Sequence, residues 1–167
     1  GTITRGEPKL TDVVPADGVS ETELLELATA VENASEHPIA RAIVDGARER
    51  GIKPGNVVDF RSTGARGVSG RVGESTVLIG NRLLLEEQGV NGLEALDKSL
   101  SDLEDQGRTA VIVARDGKAY GVVAVADTLK DESVAAIRAM HEQGLYVVMS
   151  TGENERAANA VAREVGI

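Results

Sequence analysis

Residues 109–126, TAVIVARDGKAYGVVAVA, decide the fold. Two apolar runs rich in valine, Thr109–Ala114 and Ala119–Ala126, flank Asp116-Gly117, a dipeptide suited to the positive backbone angles of a two-residue hairpin turn. They predict a pair of antiparallel strands. Upstream, glycines separate three shorter predicted strands, Val57–Arg61, Val68–Val72 and Thr76–Ile79. Between these and the hairpin, Asn81 is expected to cap a helix running to about Gln88, and a second helix is expected from about Leu93 to Gln106. The middle of the chain therefore reads as α+β: an antiparallel sheet with helices on one face.

Working towards the N-terminus, Ser20-Glu21-Thr22-Glu23 has the form of a capping box, and the helix after it puts Leu24, Leu27, Ala28 and Val31 on one face. That helix ends near Asn33-Ala34. Pro38 suits the first turn of a second helix, with Ile39, Ala42 and Ile43 inward and Gly51 as its stop. Before Pro15 lie a short extended stretch at Leu10–Val14 and turn chemistry at Arg5-Gly6-Glu7-Pro8.

Beyond Asp127 the pattern changes. A helix from about Glu132 to Gln143, an apolar strand Leu145–Met149, and Ser150-Thr151-Gly152 opening a helix Glu153–Val165 form one α/β unit of Rossmann-like character. One such unit cannot build a sheet core alone. Residues 1–8 and 125–167 are therefore expected to belong to a second, partial domain into which residues 9–124 are inserted. The chain opens on Gly1 rather than on a methionine, and is expected to be an excised piece.

Composition narrows the function. The 41% apolar content supports a real core, and no apolar run approaches the roughly 20 residues that a membrane span requires. Direct membrane contact is not expected. The net charge of −9 has the wrong sign for non-specific nucleic-acid binding. No cysteine is present and the two histidines, His37 and His141, lie far apart, so no metal site is expected. Phe60, Tyr120 and Tyr146 are the only aromatic rings, so a base-binding pocket has few stacking partners besides His37.

Four segments could carry chemistry. Glu32-Asn33-Ala34-Ser35-Glu36-His37-Pro38 joins two helices; by itself it reads as a capped connector. Its alternative is a small polar pocket, in which Glu32 accepts from an exocyclic amine and His37 offers a flat ring with one donor and one acceptor. Gly64-Ala65-Arg66-Gly67-Val68-Ser69-Gly70 is neither a P-loop nor a Rossmann fingerprint, because no helix begins there. It is a glycine-bearing hairpin, or a place where a flat ligand meets bare backbone. Ile79-Gly80-Asn81 reads as a strand end with a helix cap, and Ser150-Thr151-Gly152-Glu153-Asn154 as strand-to-helix punctuation where α/β folds often place ligands.

Taken in order, these segments resemble the nucleotide-binding domain of heavy-metal-transporting P-type ATPases, with flanking pieces of the phosphorylation domain. Gly1-Thr2-Ile3-Thr4 resembles the tail of Asp-Lys-Thr-Gly-Thr. Ser35-Glu36-His37-Pro38 matches the subgroup's Ser-Glu-His-Pro, and Val77-Leu78-Ile79-Gly80-Asn81-Arg82 matches the second half of its ATP site. Ala126-Asp127-Thr128-Leu129-Lys130 is similar to its return connector. Thr151-Gly152-Glu153-Asn154 stands where the family usually has Thr-Gly-Asp-Asn, and Ala65-Arg66-Gly67 where it usually has Gly-x-Gly.

The resemblance implies a site for adenine at Glu32, Ser35, Glu36 and His37, with Ala65, Gly67, Val68, Gly80 and Asn81 lining the rest. It implies ATP with accompanying Mg²⁺, and Thr151, Gly152 and Glu153 as a phosphorylation-domain motif. It implies no catalytic residue here, because the phosphate-accepting aspartate is absent, and so binding without turnover. The implied partners are the rest of the phosphorylation domain and the actuator and membrane domains of a metal pump, with copper favoured. The implied setting is a cytoplasmic domain of an integral membrane protein. Two other readings are a haloacid-dehalogenase-like phosphatase fragment, which lacks its nucleophile motif here, and a non-enzymatic α+β interaction module.

Overall fold

The computed structural model describes residues 1–167. Six strands form one antiparallel sheet: β1 (Lys9–Pro15), β2 (Val58–Ser62), β3 (Gly67–Val72), β4 (Ser75–Gly80), β5 (Thr109–Arg115) and β6 (Lys118–Ala126), in the order β1-β6-β5-β4-β3-β2. The decisive hairpin forms as expected. Asp116 and Gly117 take positive φ, 48° and 76°, and Arg115 pairs with Lys118 across the turn. The stretch Leu10–Val14 becomes edge strand β1, paired along β6.

Helices cover both faces rather than one. Alternation along each strand sends Val77, Ile79, Val113, Val123 and Val125 to one side, where they pack on Leu24, Leu25, Val31 and Ile43 of α1 (Glu21–Glu32) and α2 (Pro38–Glu49). Ile112, Ala114, Ala119, Val122 and Ala124 face the other side. There they meet Leu84 and Leu85 of α3 (Arg82–Glu87), Leu93 and Leu96 of a 3-10 turn, and Leu103 of α4 (Asp97–Asp105). The expected single helix from Leu93 to Gln106 is thus split at Asp97. Each fully buried Leu or Ile in these two cores contributes about 1.5–3 kcal/mol.

The capping predictions hold with one change. The Glu23 N–H donates to Ser20 Oγ at 3.1 Å, but the Glu23 carboxylate turns to Arg115 at 3.7 Å, so half of the capping box forms. His37 caps α2 with Pro38 in its first turn, and Gly51 follows its end at φ 79°.

The N-terminal residues meet the segment that follows β6. Thr4 bridges to Leu129, the Arg5 N–H donates to the Thr128 carbonyl at 2.9 Å, and the Lys130 N–H donates to the Ile3 carbonyl at 3.0 Å. Asp127 accepts from the Gly6 and Glu7 N–H groups at 3.0 and 3.1 Å, and Arg5 reaches both oxygens of Asp131 at 3.1 Å. The sheet therefore departs and returns through one paired crossing.

After it come α5 (Ser133–Glu142) and α6 (Glu155–Val165). The expected strand Leu145–Met149 does not form: Leu145, Tyr146 and Val148 are 55%, 93% and 73% exposed. A strand exists only through its neighbours, and no segment of this chain lies alongside to complete a ladder. The helices of the α/β unit are present without their sheet.

Candidate nucleotide site

α1 and β4 run side by side and end together. The first turn of α1 is tied to Arg115, whose Nε donates to Ser75 Oγ at 2.8 Å at the opposite end of β4. Twelve helical residues cover about 18 Å and six strand residues about 20 Å, so Glu32 and Gly80 reach the same end of the sheet. Val31, next to Glu32, lies in one core cluster with Val68 and Ile79. The ends of α1, β3 and β4 are thereby fixed against each other.

Glu32 is the unusual group there. Its residue is 6% exposed, and burial alone raises its pKa from 4.5 to about 7. No cation pairs with it, and the last turn of α1 carries no basic residue to offset the negative end of the helix dipole. Three residues earlier on the same helix, the Thr29 hydroxyl is fully buried and also unpartnered. Buried polar groups ordinarily find partners inside the protein. These two do not.

The Glu32 proton has a consequence for stability. Between pH 4.5 and about 7 the folded chain keeps a proton that the unfolded chain has released. Stability from this group is therefore present at low pH and lost as pH rises, by up to about 3 kcal/mol at pH 8. Urea unfolding at pH 5 and pH 8 measures it, and Glu32→Gln is expected to flatten the slope. Equal slopes in the two proteins would disprove the assignment.

The connector beyond Glu32 is orderly. The Ser35 N–H donates to the Glu32 carbonyl at 2.9 Å, Ser35 Oγ accepts from the His37 N–H at 3.3 Å, and His37 Nδ1 accepts from the Ile39 N–H at 3.2 Å. With Nδ1 committed to the cap, the neutral ring carries its proton on Nε2 and presents a donor from an exposed position. Glu36 is exposed beside it. Of the three aromatic rings, Phe60 packs on the main core, Tyr120 lies 5.8 Å below Arg115, and Tyr146 belongs to the C-terminal segment. His37 is the ring available at this end.

Gly67 and Gly80 face each other across β3 and β4, and the Asn81 N–H donates to the Arg66 carbonyl at 3.0 Å. A Cβ on Gly67 would stand 2.3 Å from the Ile79 carbonyl oxygen and 2.7 Å from Leu84 Cδ2. Their missing side chains thus point towards α3, away from the face where Val68 meets Val31. Close packing already requires both glycines. Ala65 lies in a 3-10 turn without positive φ, so its methyl group is unstrained, and Asn81 caps α3 by accepting from the Leu84 N–H at 2.8 Å. Arg66 is ion-paired with Glu87, 21 residues away, a brace that no local pattern signals.

Thr151, Gly152 and Glu153 stand apart from this group. The Glu153 N–H donates to Thr151 Oγ1 at 3.2 Å, and the Glu153 carboxylate accepts from the Thr109 hydroxyl at 2.7 Å. Gly152 has open space around it. A cleft of about 500 Å³ between residues 6–10 and α2 includes Pro38 and Arg41 but none of the candidate base-site residues.

A family model described as haloacid dehalogenase-like hydrolase matches residues 1–167. The whole chain is 44% identical to part of a copper-transporting P-type ATPase of Rhizobium leguminosarum bv. viciae, covering 20% of that protein. It is 41% identical to part of a copper-exporting P-type ATPase of Bacillus subtilis (strain 168), covering 21%. The chain spans about a fifth of the length of these curated relatives. Among solved structures, a zinc-transporting PIB-type ATPase in the E2.Pi state matches all of the chain and 27% of its own, with TM-score 0.75 and 36% identity. The N-domain of HMA6, a copper-transporting P-type ATPase, matches 71% of the chain and 98% of its own, with TM-score 0.59 and 26% identity.

Proposed function

Because the chain belongs to the haloacid dehalogenase-like hydrolase family and along its whole length matches one part of heavy-metal P-type ATPases, we propose that it binds ATP for such a pump, the base held at Glu32 and His37. The observation that carries this reading is Glu32 at the end of α1, a largely buried residue whose carboxyl is pushed up towards neutral pH by desolvation and has no cation or donor of the chain paired with it. Holding a carboxylate in that state costs stability. An adenine amine would supply the missing donor, and the His37 ring is placed to stack on the base or donate through Nε2. Ser35 and Glu36 shape the connector, and Ala65, Gly67, Val68, Gly80 and Asn81 form the adjoining rim.

Residues 9–124 would be the nucleotide-binding domain, and 1–8 with 125–167 the part leading to the phosphorylation domain. The likeness to an isolated N-domain and the paired crossing at residues 3–5 and 128–130 support that division. Mg²⁺ would arrive with the phosphates, because no three His, Asp or Glu side chains of this chain gather to hold a metal. The phosphoryl acceptor, the actuator and the membrane domains would lie elsewhere in the pump. Copper is the proposed cargo, since the relatives are named for it.

Titrating ATP into the chain while following backbone amide shifts tests the reading. Shifts are expected at Glu32, His37, Gly67 and Asn81, and His37→Ala is expected to weaken binding about three- to tenfold through one lost ring contact. Shifts confined to other segments, or unchanged affinity in His37→Ala, would refute the base site.

A further inference from the structure

The C-terminal unit is attached to the sheet in two places. One is the paired crossing, where the chain passes between β1 and residue 8 and between β6 and residue 127. Two strands leaving side by side define an axis about which the unit can swing. The second place is a patch where α6 and the turn before it meet the end of α4 and the start of β5, and this patch opposes the swing.

The patch has three polar contacts of unequal quality. Asn154 Nδ2 reaches Glu104 Oε1 at 3.4 Å, and Arg156 Nε reaches Asp105 Oδ1 at 3.6 Å with both side chains about half exposed. Contacts of that length and exposure hold little. The third, from Thr109 Oγ1 to Glu153 Oε2, also lies at the surface but is 2.7 Å, the length of a strong hydroxyl–carboxylate bond. Beneath them Gly107 lies against Ala160 and Val161, and burial raises the pKa of Glu104.

We propose that Glu153 is a positioning residue that clasps the C-terminal unit to the sheet through the Thr109 hydroxyl. The clasp sets how far the turn Thr151–Gly152–Glu153 stands from the sheet end that carries Gly67 and Gly80. β5 starts at that same end, because Ile112 pairs with Gly80 and Thr109 lies three residues beyond it. The contact depends on side-chain length. Removing one methylene withdraws the carboxylate by about 1.5 Å, which takes a 2.7 Å bond out of hydrogen-bond range.

The chain has no cysteine, so Asp45→Cys on α2 and Glu164→Cys on α6 place two spin labels uniquely. The labelled chain is expected to give one narrow distance distribution. Glu153→Asp and Thr109→Val are each expected to broaden it and to speed amide exchange in α6 about tenfold, the loss of one charge-assisted hydrogen bond. Their combination is expected to add nothing further, while Thr109→Ser restores the narrow distribution. Helical circular dichroism and the ATP-induced shift at His37 should stay as they were, which separates the clasp from the fold and from the base site. A narrow distribution in Thr109→Val would overturn the proposal. So would additive effects of the two substitutions, or loss of α6 helicity in Glu153→Asp alone, which would make Glu153 a helix-capping residue only.

Discussion

Gly80→Ala is expected to destabilise the chain by about 3 kcal/mol and lower its melting temperature by about 10 °C. A Cβ at residue 80 would stand 2.5 Å from the Arg66 carbonyl oxygen, 3.0 Å from Leu84 Cδ2 and 3.1 Å from the Gly67 Cα. Two of these neighbours are backbone, and backbone here has little freedom to move. Gly67 pairs with Gly80 in the ladder, and the Asn81 N–H holds the Arg66 carbonyl at 3.0 Å. Relief would have to open the β3–β4 crossing or push Leu84 out of its core, and either is costly. Gly67→Ala should behave alike, since its Cβ meets the Ile79 carbonyl oxygen at 2.3 Å. Gly152→Ala, with nothing within 4 Å and no positive φ, should stay within about 0.5 kcal/mol of the parent. Thermal melts followed by circular dichroism measure all three. A Gly80→Ala protein that melts within about two degrees of the parent would show that the crossing yields, contrary to this packing.

In sequence, the segment holding Gly67 reads as a glycine-bearing hairpin or as bare backbone open to a flat ligand, Gly80 reads as a strand end, and the family resemblance implies that both line a nucleotide pocket. In the fold each makes room for the other and for Leu84. Loss of ATP binding in either alanine variant would follow from the damaged crossing, so neither variant can serve as evidence of ligand contact.

What was legible in the sequence was local. Asp116-Gly117 dictates its turn, Ser20 and Asn81 cap their helices, and Pro38 opens α2, because each acts on backbone within four residues. Placement across the sheet was not legible. Helical periodicity says which side of α3 and α4 is apolar, but not which face of the sheet will receive it, and both faces are filled. Leu145–Met149 has a strand's composition and lacks the neighbours that would make it one. The candidate site divides in the same way. The connector Glu32–Pro38 was visible as a motif, whereas the isolation of the Glu32 carboxyl follows from packing against residues far along the chain.

Replacing Glu32 is expected to move stability and nucleotide affinity in opposite directions, the largest functional effect foreseen for this chain. Glu32→Met keeps the side chain's volume, removes its charge and has no strong acceptor. At pH 8 the carboxylate is ionised inside a site that supplies no partner, so Glu32→Met should unfold at a higher urea concentration than the parent, and Glu32→Gln should fall between them. ATP affinity should run the other way. The ionised carboxylate is the best acceptor for an adenine amine, the Gln amide oxygen a weaker one, and Met offers almost nothing. Loss of a charge-assisted bond in a dehydrated setting predicts a ten- to hundredfold weaker ATP complex for Glu32→Met, roughly 1.5–3 kcal/mol.

The parent's affinity should also fall between pH 8 and pH 6, as Glu32 takes up its proton near pH 7, while Glu32→Met shows no such step. Calorimetric ATP titrations at the two pH values, beside urea unfolding of the same three proteins, measure the whole set. A substitution that weakened both folding and binding would assign Glu32 to structure. One that stabilised the fold and left ATP binding intact would leave its burial unexplained by the base. The base-site reading requires opposite signs, because only a ligand that supplies the missing donor makes an unpaired buried carboxylate useful.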